Sequence, residues 1–266
     1  MQLRSIFIIN ILASSGKSMN RATALASLIL IAAFGVTTLS LVTKAQAAEP
    51  PAAKPSDDVD FLFRLGMLEG HLMVGHELVQ AKQIAMALPH YGHPVKELYD
   101  DISTYLKARK FPAFDKNLIS LEAAVTAAPN APDTEAKYQA VITTVHKARA
   151  LAPPQIRASL PTMIKVCADT IDAASGEYGE AIEKGTVAQV VEYHDSRGYL
   201  EYVAQQVGEL TTAHTDAASQ ALLGKFSAVL AKAQAIVGDL LPGPTPKATL
   251  AEYRAIATEA TALAKP

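Results

Sequence analysis

From Asp57 to about Lys82, apolar side chains fall on nearly every side of a 3.6-residue period. This predicts one long helix that neighbours bury on several faces. Ser56, Asp57 and Asp58 suit its start, because side-chain oxygens cap free N–H groups and acids favour the positive end of the dipole. His93-Pro94 opens a second helix, with proline in its favoured first position, running through Glu97, Leu98 and Tyr105 to about Arg109. Phe111-Pro112-Ala113-Phe114 reads as a turn that plugs two aromatics into the core, with Asp115 capping a helix to about Ala128. Pro129-Asn130-Ala131-Pro132 breaks the chain, and Asp133 caps a helix from Thr134 to Leu151. Pro153-Pro154 starts a long segment to about Lys184, interrupted at Pro161 and ended by Gly185-Thr186. Val187 to about Ser219 is the next helix, and Gln220 to Leu241 continues it or kinks at Gly224. Pro242-Gly243-Pro244 stops that run before a last helix from Lys247 to Ala264. No period-two alternation bounded by Asn-Gly or Asp-Gly turns is present. The expected fold is all-α, an antiparallel helical bundle of about six to eight helices.

The chain ahead of Ser56 has a different character. Residues Ala22 to Val42 carry no charge, follow Lys17 and Arg21, and lead into Lys44-Ala45-Gln46-Ala47. Small residues at Ala45 and Ala47 fit an A-x-A cleavage site, so residues 1–47 read as a signal peptide cut after Ala47. The run is also long enough for a retained anchor, and Met19 would open a more compact signal than Met1. Residues 48–56 are a Pro/Ala-rich tether, and 57–266 form a single helical domain. No later segment has 18 uncharged apolar residues, so the mature chain is expected not to span a membrane and to reside in a periplasm.

Composition narrows the chemistry. Half of the 266 residues are hydrophobic but only 6% are aromatic, which favours helices over sheets. The single cysteine, Cys167, excludes an intrachain disulfide, a cysteine-based zinc or iron–sulfur site and C-x-x-C-H haem attachment. Its apolar neighbours make it a buried small hydrophobe. The leader holds four of the 24 basic residues and none of the 26 acids, leaving 20 against 26 and a net charge of −6. Such a balance speaks against nucleic acid and anionic membrane as partners.

Four of the seven histidines, His71, His76, His90 and His93, lie within 23 positions, flanked by Glu69, Glu77 and Glu97. Imidazole and carboxylate together suit zinc, copper or iron. Glu69, Met73 and His76 share one helix face, and His71 points to nearly the opposite side, so one tight site cannot use both His71 and His76. If the first helix runs to Ala87 and reverses near His90, the histidines fall into two groups. If it reverses near Lys82-Gln83, His76 comes near His90, Met73 near His93 and Glu69 near Glu97, although Pro89 weighs against a regular helix there. A second polar stretch, Glu192 to Glu201, places Glu192, Asp195 and Tyr199 on one face. Turned inward, it would supply carboxylates to the histidine hairpin, and Arg197 would pair with Asp195 or Glu69. The candidate metal ligands are Glu69, His76, His90, His93 and Glu97, with Glu192 or Asp195 completing the shell. The structural alternative keeps these histidines as hydrogen-bonded core or turn residues and the polar stretch as a solvated face. His146 and His214 receive no role. Gly66, Gly70, Gly75 and Gly198 lie inside helices, each at a cost of about 1 kcal/mol relative to alanine, and mark close approach of a neighbouring backbone or a flat ligand.

The string Gly70-His71-Leu72-Met73-Val74-Gly75-His76-Glu77-Leu78, with Pro89-His90-Tyr91-Gly92-His93-Pro94, Glu97-Leu98-Tyr99 and Glu192-Tyr193-x-Asp195-Ser196-Arg197-Gly198-Tyr199, resembles a pattern in exported helical proteins of proteobacteria. The resemblance implies that the hairpin and the distal stretch belong together and carries no activity. The leading expectation is a periplasmic transition-metal carrier, store or sensor. One alternative is an interaction module for an unknown periplasmic protein, with a tetratricopeptide-like hairpin and no metal. Another is noncovalent binding of haem b through His76 or His71 with Met73 or Met67. No acid/base pair, nucleophile set, phosphate loop or dinucleotide fingerprint supports catalysis.

Overall fold

A computed structural model describes residues 55–265. The expected signal segment, its cleavage point and residues 48–54 of the tether lie outside the described residues.

The described chain is all-α apart from one two-residue hairpin. Its helices are α1 (Pro55–Gln80), α2 (Ile84–His93), α3 (Tyr99–Ala108), α4 (Asp115–Ala127), α5 (Pro132–Arg149), the single turn α6 (Pro154–Arg157), α7 (Leu160–Ala181), α8 (Val190–Ala213), α9 (Ala217–Ile236) and α10 (Leu250–Leu263). None of them is long and apolar enough to cross a membrane. α1, α7 and α8 pack on one another at the centre. α2 covers α1 and carries α4 and then α5 outward, while α9 and α10 close the other side against α7 and α8. The central position of α1 explains its pattern: Leu65, Leu68, Leu72, Val74 and Leu78 are fully buried although they point in different directions around the helix.

Local chemistry sets most boundaries. Ser159 accepts the N–H of Thr162 ahead of Pro161, so that proline lies in the first turn of α7. Thr249 and Glu252 form a reciprocal capping box on α10. Asp115 and Asp133 do not cap: both lie inside first turns, where they meet the helix dipole instead. α1 begins at Pro55, inside the stretch expected as tether. The helix expected to run from Val187 to Ser219 stops at Ala213, because His214 is extended and Asp216 caps α9 by accepting the N–H of Ser219 at 2.9 Å. α9 runs through Gly224 without a break. The small hairpin, β1 (Ile182–Glu183) and β2 (Thr186–Val187), was not expected. Lys184 and Gly185 both adopt positive φ (51° and 79°), the geometry of a tight hairpin turn, with glycine at only one of its two positions.

Two features tie α1 to α8. Gly70 and Gly198 put the two backbones in direct contact: a Cβ on Gly70 would stand 2.9 Å from the Gly198 carbonyl oxygen, and one on Gly198 would press still closer on that of Gly70. Gly66 likewise leaves room for the Tyr202 ring. Replacing Gly198 by alanine is expected to lower stability by about 1–3 kcal/mol despite alanine's better helix propensity. An unchanged thermal midpoint would show that the two helices can separate at no cost.

Second, Arg197 grips Glu77 through two bonds of 2.9 and 2.7 Å, reaches Glu201 at 3.0 Å and donates to the Gly238 carbonyl at 2.7 Å. It therefore pairs with neither Asp195 nor Glu69. Burial, and then the neighbouring Glu77, push the Glu201 carboxyl up to about 8. A carboxyl raised on folding stabilises the fold fully below its unfolded pKa of about 4.3, and this stabilisation is lost as pH rises through the folded value. Glu201→Gln is expected to raise the thermal midpoint by a few °C at about pH 9, with the gain shrinking towards about pH 5. An equal effect at both pH values would contradict the shift.

Candidate metal centre

The hairpin between α1 and α2 turns at Lys82, whose φ is 60°, so the chain reverses at the earlier of the two positions weighed from the sequence. α2 runs through Pro89. The carbonyl that this proline leaves without a helical partner belongs to Ala85, which is exposed and open to water. Counting outward from the turn sets the register. A Cβ on Gly75 would lie 3.2 Å from that of His90 and 3.1 Å from the Tyr91 ring. Pro94 has no N–H to continue the α-helical ladder, and a π-turn covers Pro94–Leu98 before α3 begins. His93 sits at the mouth of that turn.

This register brings His71 to the seam. His71, His90 and His93 converge on one carboxylate, Asp195 of α8. The distances are 2.5 Å from His71 Nδ1 to Asp195 Oδ1, 2.6 Å from His90 Nδ1 to the same oxygen, and 3.2 Å from His93 Nδ1 to Oδ2. His71, His90 and Asp195 are buried, and His93 is partly so. One turn along α8 from Asp195 lies Gly198, so the backbone contact with Gly70 carries His71 into reach. One ligand atom from each of the four residues lies within 4.8 Å of the others. Asp195 belongs to a second such group with Glu177 of α7 and Glu192 of α8.

The other residues singled out from sequence lie elsewhere. Glu69 is 1% exposed and takes Arg149 and His146, the latter at 2.9 Å, so it is a buried structural acid and not part of the cluster. His146, given no role from sequence, is its partner. His76 stacks on Tyr138 at 4.0 Å and meets Glu135 at 2.8 Å. It departs from the cluster because the α1 face opposite carries His71. Glu97 stands at the rim, 3.9 Å from His93 Nε2, with its side chain 57% exposed. Cys167 is fully buried, and burial pushes its thiol up to about 12.

Sequence reasoning left His71 out of the ligand set and missed Glu177, because nothing in the sequence fixes how α1 and α7 are turned about their axes. His71 falls on a buried stripe with Met67, Val74 and Leu78, and Glu177 on one with Thr170, Ala174 and Ala181. A titratable group on an otherwise apolar stripe faces the interior whether or not the sequence around it looks polar.

The electrostatics follow from this crowding. Burial alone would raise the Asp195 carboxyl, but the imidazoles, His71 foremost, outweigh it and hold it far below the usual carboxylate range. Burial lowers His90 against the pull of Asp195, whereas the bond to Asp195 raises His93. Burial, reinforced by Asp195, Glu192, Glu180 and Glu97, pushes Glu177 up to about 8, and no cation opposes the rise. Burial and Asp195 also raise Glu192.

Hydrogen bonds to Asp195 account for the three Nδ1 atoms. A carboxylate only accepts, so each Nδ1 facing it carries a proton, and His71 Nε2 then accepts the Tyr199 O–H at 3.0 Å. They do not account for His90 Nε2, which is buried without a partner. Neither Glu177 nor Glu192 forms an ion pair among the described residues, although the charge of His93 favours the ionised form of Glu192. A metal relieves the carboxylates. A tetrahedral ion with bonds of about 2.0–2.1 Å holds its ligand atoms about 3.3 Å apart. The nitrogen-to-oxygen separations of 2.5 to 3.2 Å lie at or below that edge, and a ligand atom of each residue lies within 4.8 Å of the others. With a metal on its Nδ1, His71 would carry its proton on Nε2, and the Tyr199 oxygen 3.0 Å away would accept it. Three imidazoles and a carboxylate suit iron, zinc or copper.

No curated protein and no solved structure matches the chain. A family profile does match part of it, residues 153–264, less than half of the chain. That stretch contains α6 and the four longer helices α7 to α10, and with them Asp195, Glu192 and Glu177, whereas the three imidazoles come from the chain ahead of it. Over residues 153–264 the chain is similar to the iron permease-associated 4-helix bundle domain.

Proposed function

We propose that this protein is a periplasmic metal-binding helical bundle that holds a transition-metal ion, iron first among them, between α1, α2 and α8 and serves an iron-uptake assembly as carrier or store. The observation that carries the reading is the convergence of His71, His90 and His93 on the buried Asp195 carboxylate. The similarity of residues 153–264 to an iron permease-associated domain supports iron as the cargo. The charge-free run and A-x-A motif ahead of Ala48 support export. The donors are all nitrogen and oxygen, which iron accepts in either common oxidation state.

Metal content after purification without an affinity tag tests the reading. His90→Ala is expected to lose bound metal while His76→Ala keeps the wild-type stoichiometry. Wild-type metal content in His90→Ala would overturn the assignment.

A further inference from the structure

The donors around Asp195 outnumber what one ion can use. Three imidazole nitrogens and the six oxygens of Asp195, Glu177 and Glu192 make nine donor atoms, against about six positions on an octahedral ion. They are also sorted in space. Asp195 Oδ1 faces His71 and His90, while Oδ2 faces His93. Glu177 and Glu192 each bring an oxygen within 4.8 Å of Asp195, and among the described residues neither makes a hydrogen bond or ion pair.

We propose that the centre is dinuclear, with Asp195 bridging two divalent transition-metal ions. One ion is held by His71, His90, His93 and Asp195, and the other by Asp195, Glu177 and Glu192. A bridging carboxylate suits the spacing of about 3.5–4 Å usual for two-metal sites. The inference rests on the proposed metal reading and goes beyond it in assigning Glu177 and a second ion.

Cobalt(II) is a convenient probe, because both its stoichiometry and its magnetism can be read. Calorimetric titration of the mature protein is expected to give two equivalents per chain, with magnetic coupling between them. Glu177→Gln/Glu192→Gln, which keeps side-chain shape and is checked by its thermal midpoint, is expected to retain one equivalent and lose the coupling. One equivalent in the wild type, unchanged in the double variant, overturns the dinuclear centre and leaves the single-ion reading intact. No bound cobalt in either protein overturns both. Two equivalents retained in the double variant remove Glu177 and Glu192 as ligands and with them the second site as drawn.

Discussion

Asp195→Asn is expected to weaken metal binding by a hundredfold or more, the upper end of what loss of a metal-orienting carboxylate costs. All three imidazoles meet this one side chain, and nothing else near them is negative and equally buried. The amide keeps the volume but removes the charge, and its NH2 group presents protons to rings that already point N–H groups at it. Binding measured by competition against a chelator of known affinity reads the effect directly. Affinity within threefold of wild type would mean that Asp195 merely packs the rings. The variant also separates charge from folding. The stability lost with the carboxylate shows in the thermal midpoint of the metal-free protein, and the binding loss must exceed it.

The second large effect lies away from the metal centre. Glu69→Ala is expected to cost about 3–5 kcal/mol, because it strands Arg149 inside the protein without its partner. Glu69 is 1% exposed, and Arg149 stands over the Tyr202 ring at 5.4 Å, where water reaches it poorly. Chemical denaturation measures the loss. At a temperature where the variant is still folded, its metal stoichiometry is expected to equal that of wild type. A stoichiometric loss of metal without loss of stability would return Glu69 to the ligand set.

The helical class and the breaks at Pro129–Pro132, Gly185 and Pro242–Pro244 were legible in the sequence, since proline, glycine and cap chemistry act over a few residues. The association of the α1–α2 histidines with the Glu192–Tyr199 stretch was legible as well, from polar residues clustered in two apolar helices. The choice between His71 and His76 was not. It depends on the rotation of α1 about its own axis, and a helix that is apolar on nearly every side offers no amphipathic face by which to fix that rotation. The Gly70–Gly198 contact fixes it, and such a contact is a property of two helices together. Glu177 stayed hidden for a related reason: α7 meets α8 along a stripe of small residues, and the partner facing each position is set by tertiary docking.

The meeting of Gly70 and Gly198 has a mechanical consequence. Elsewhere in the bundle, interlocking side chains can yield and absorb small relative movements. At this crossing the Gly70 and Gly198 backbones touch directly, so a slip of α1 against α8 moves His71, the next residue along α1, relative to Asp195, one turn from Gly198 on α8. The position of α1 on α8 and the spacing of the His71–Asp195 pair are thereby tied together.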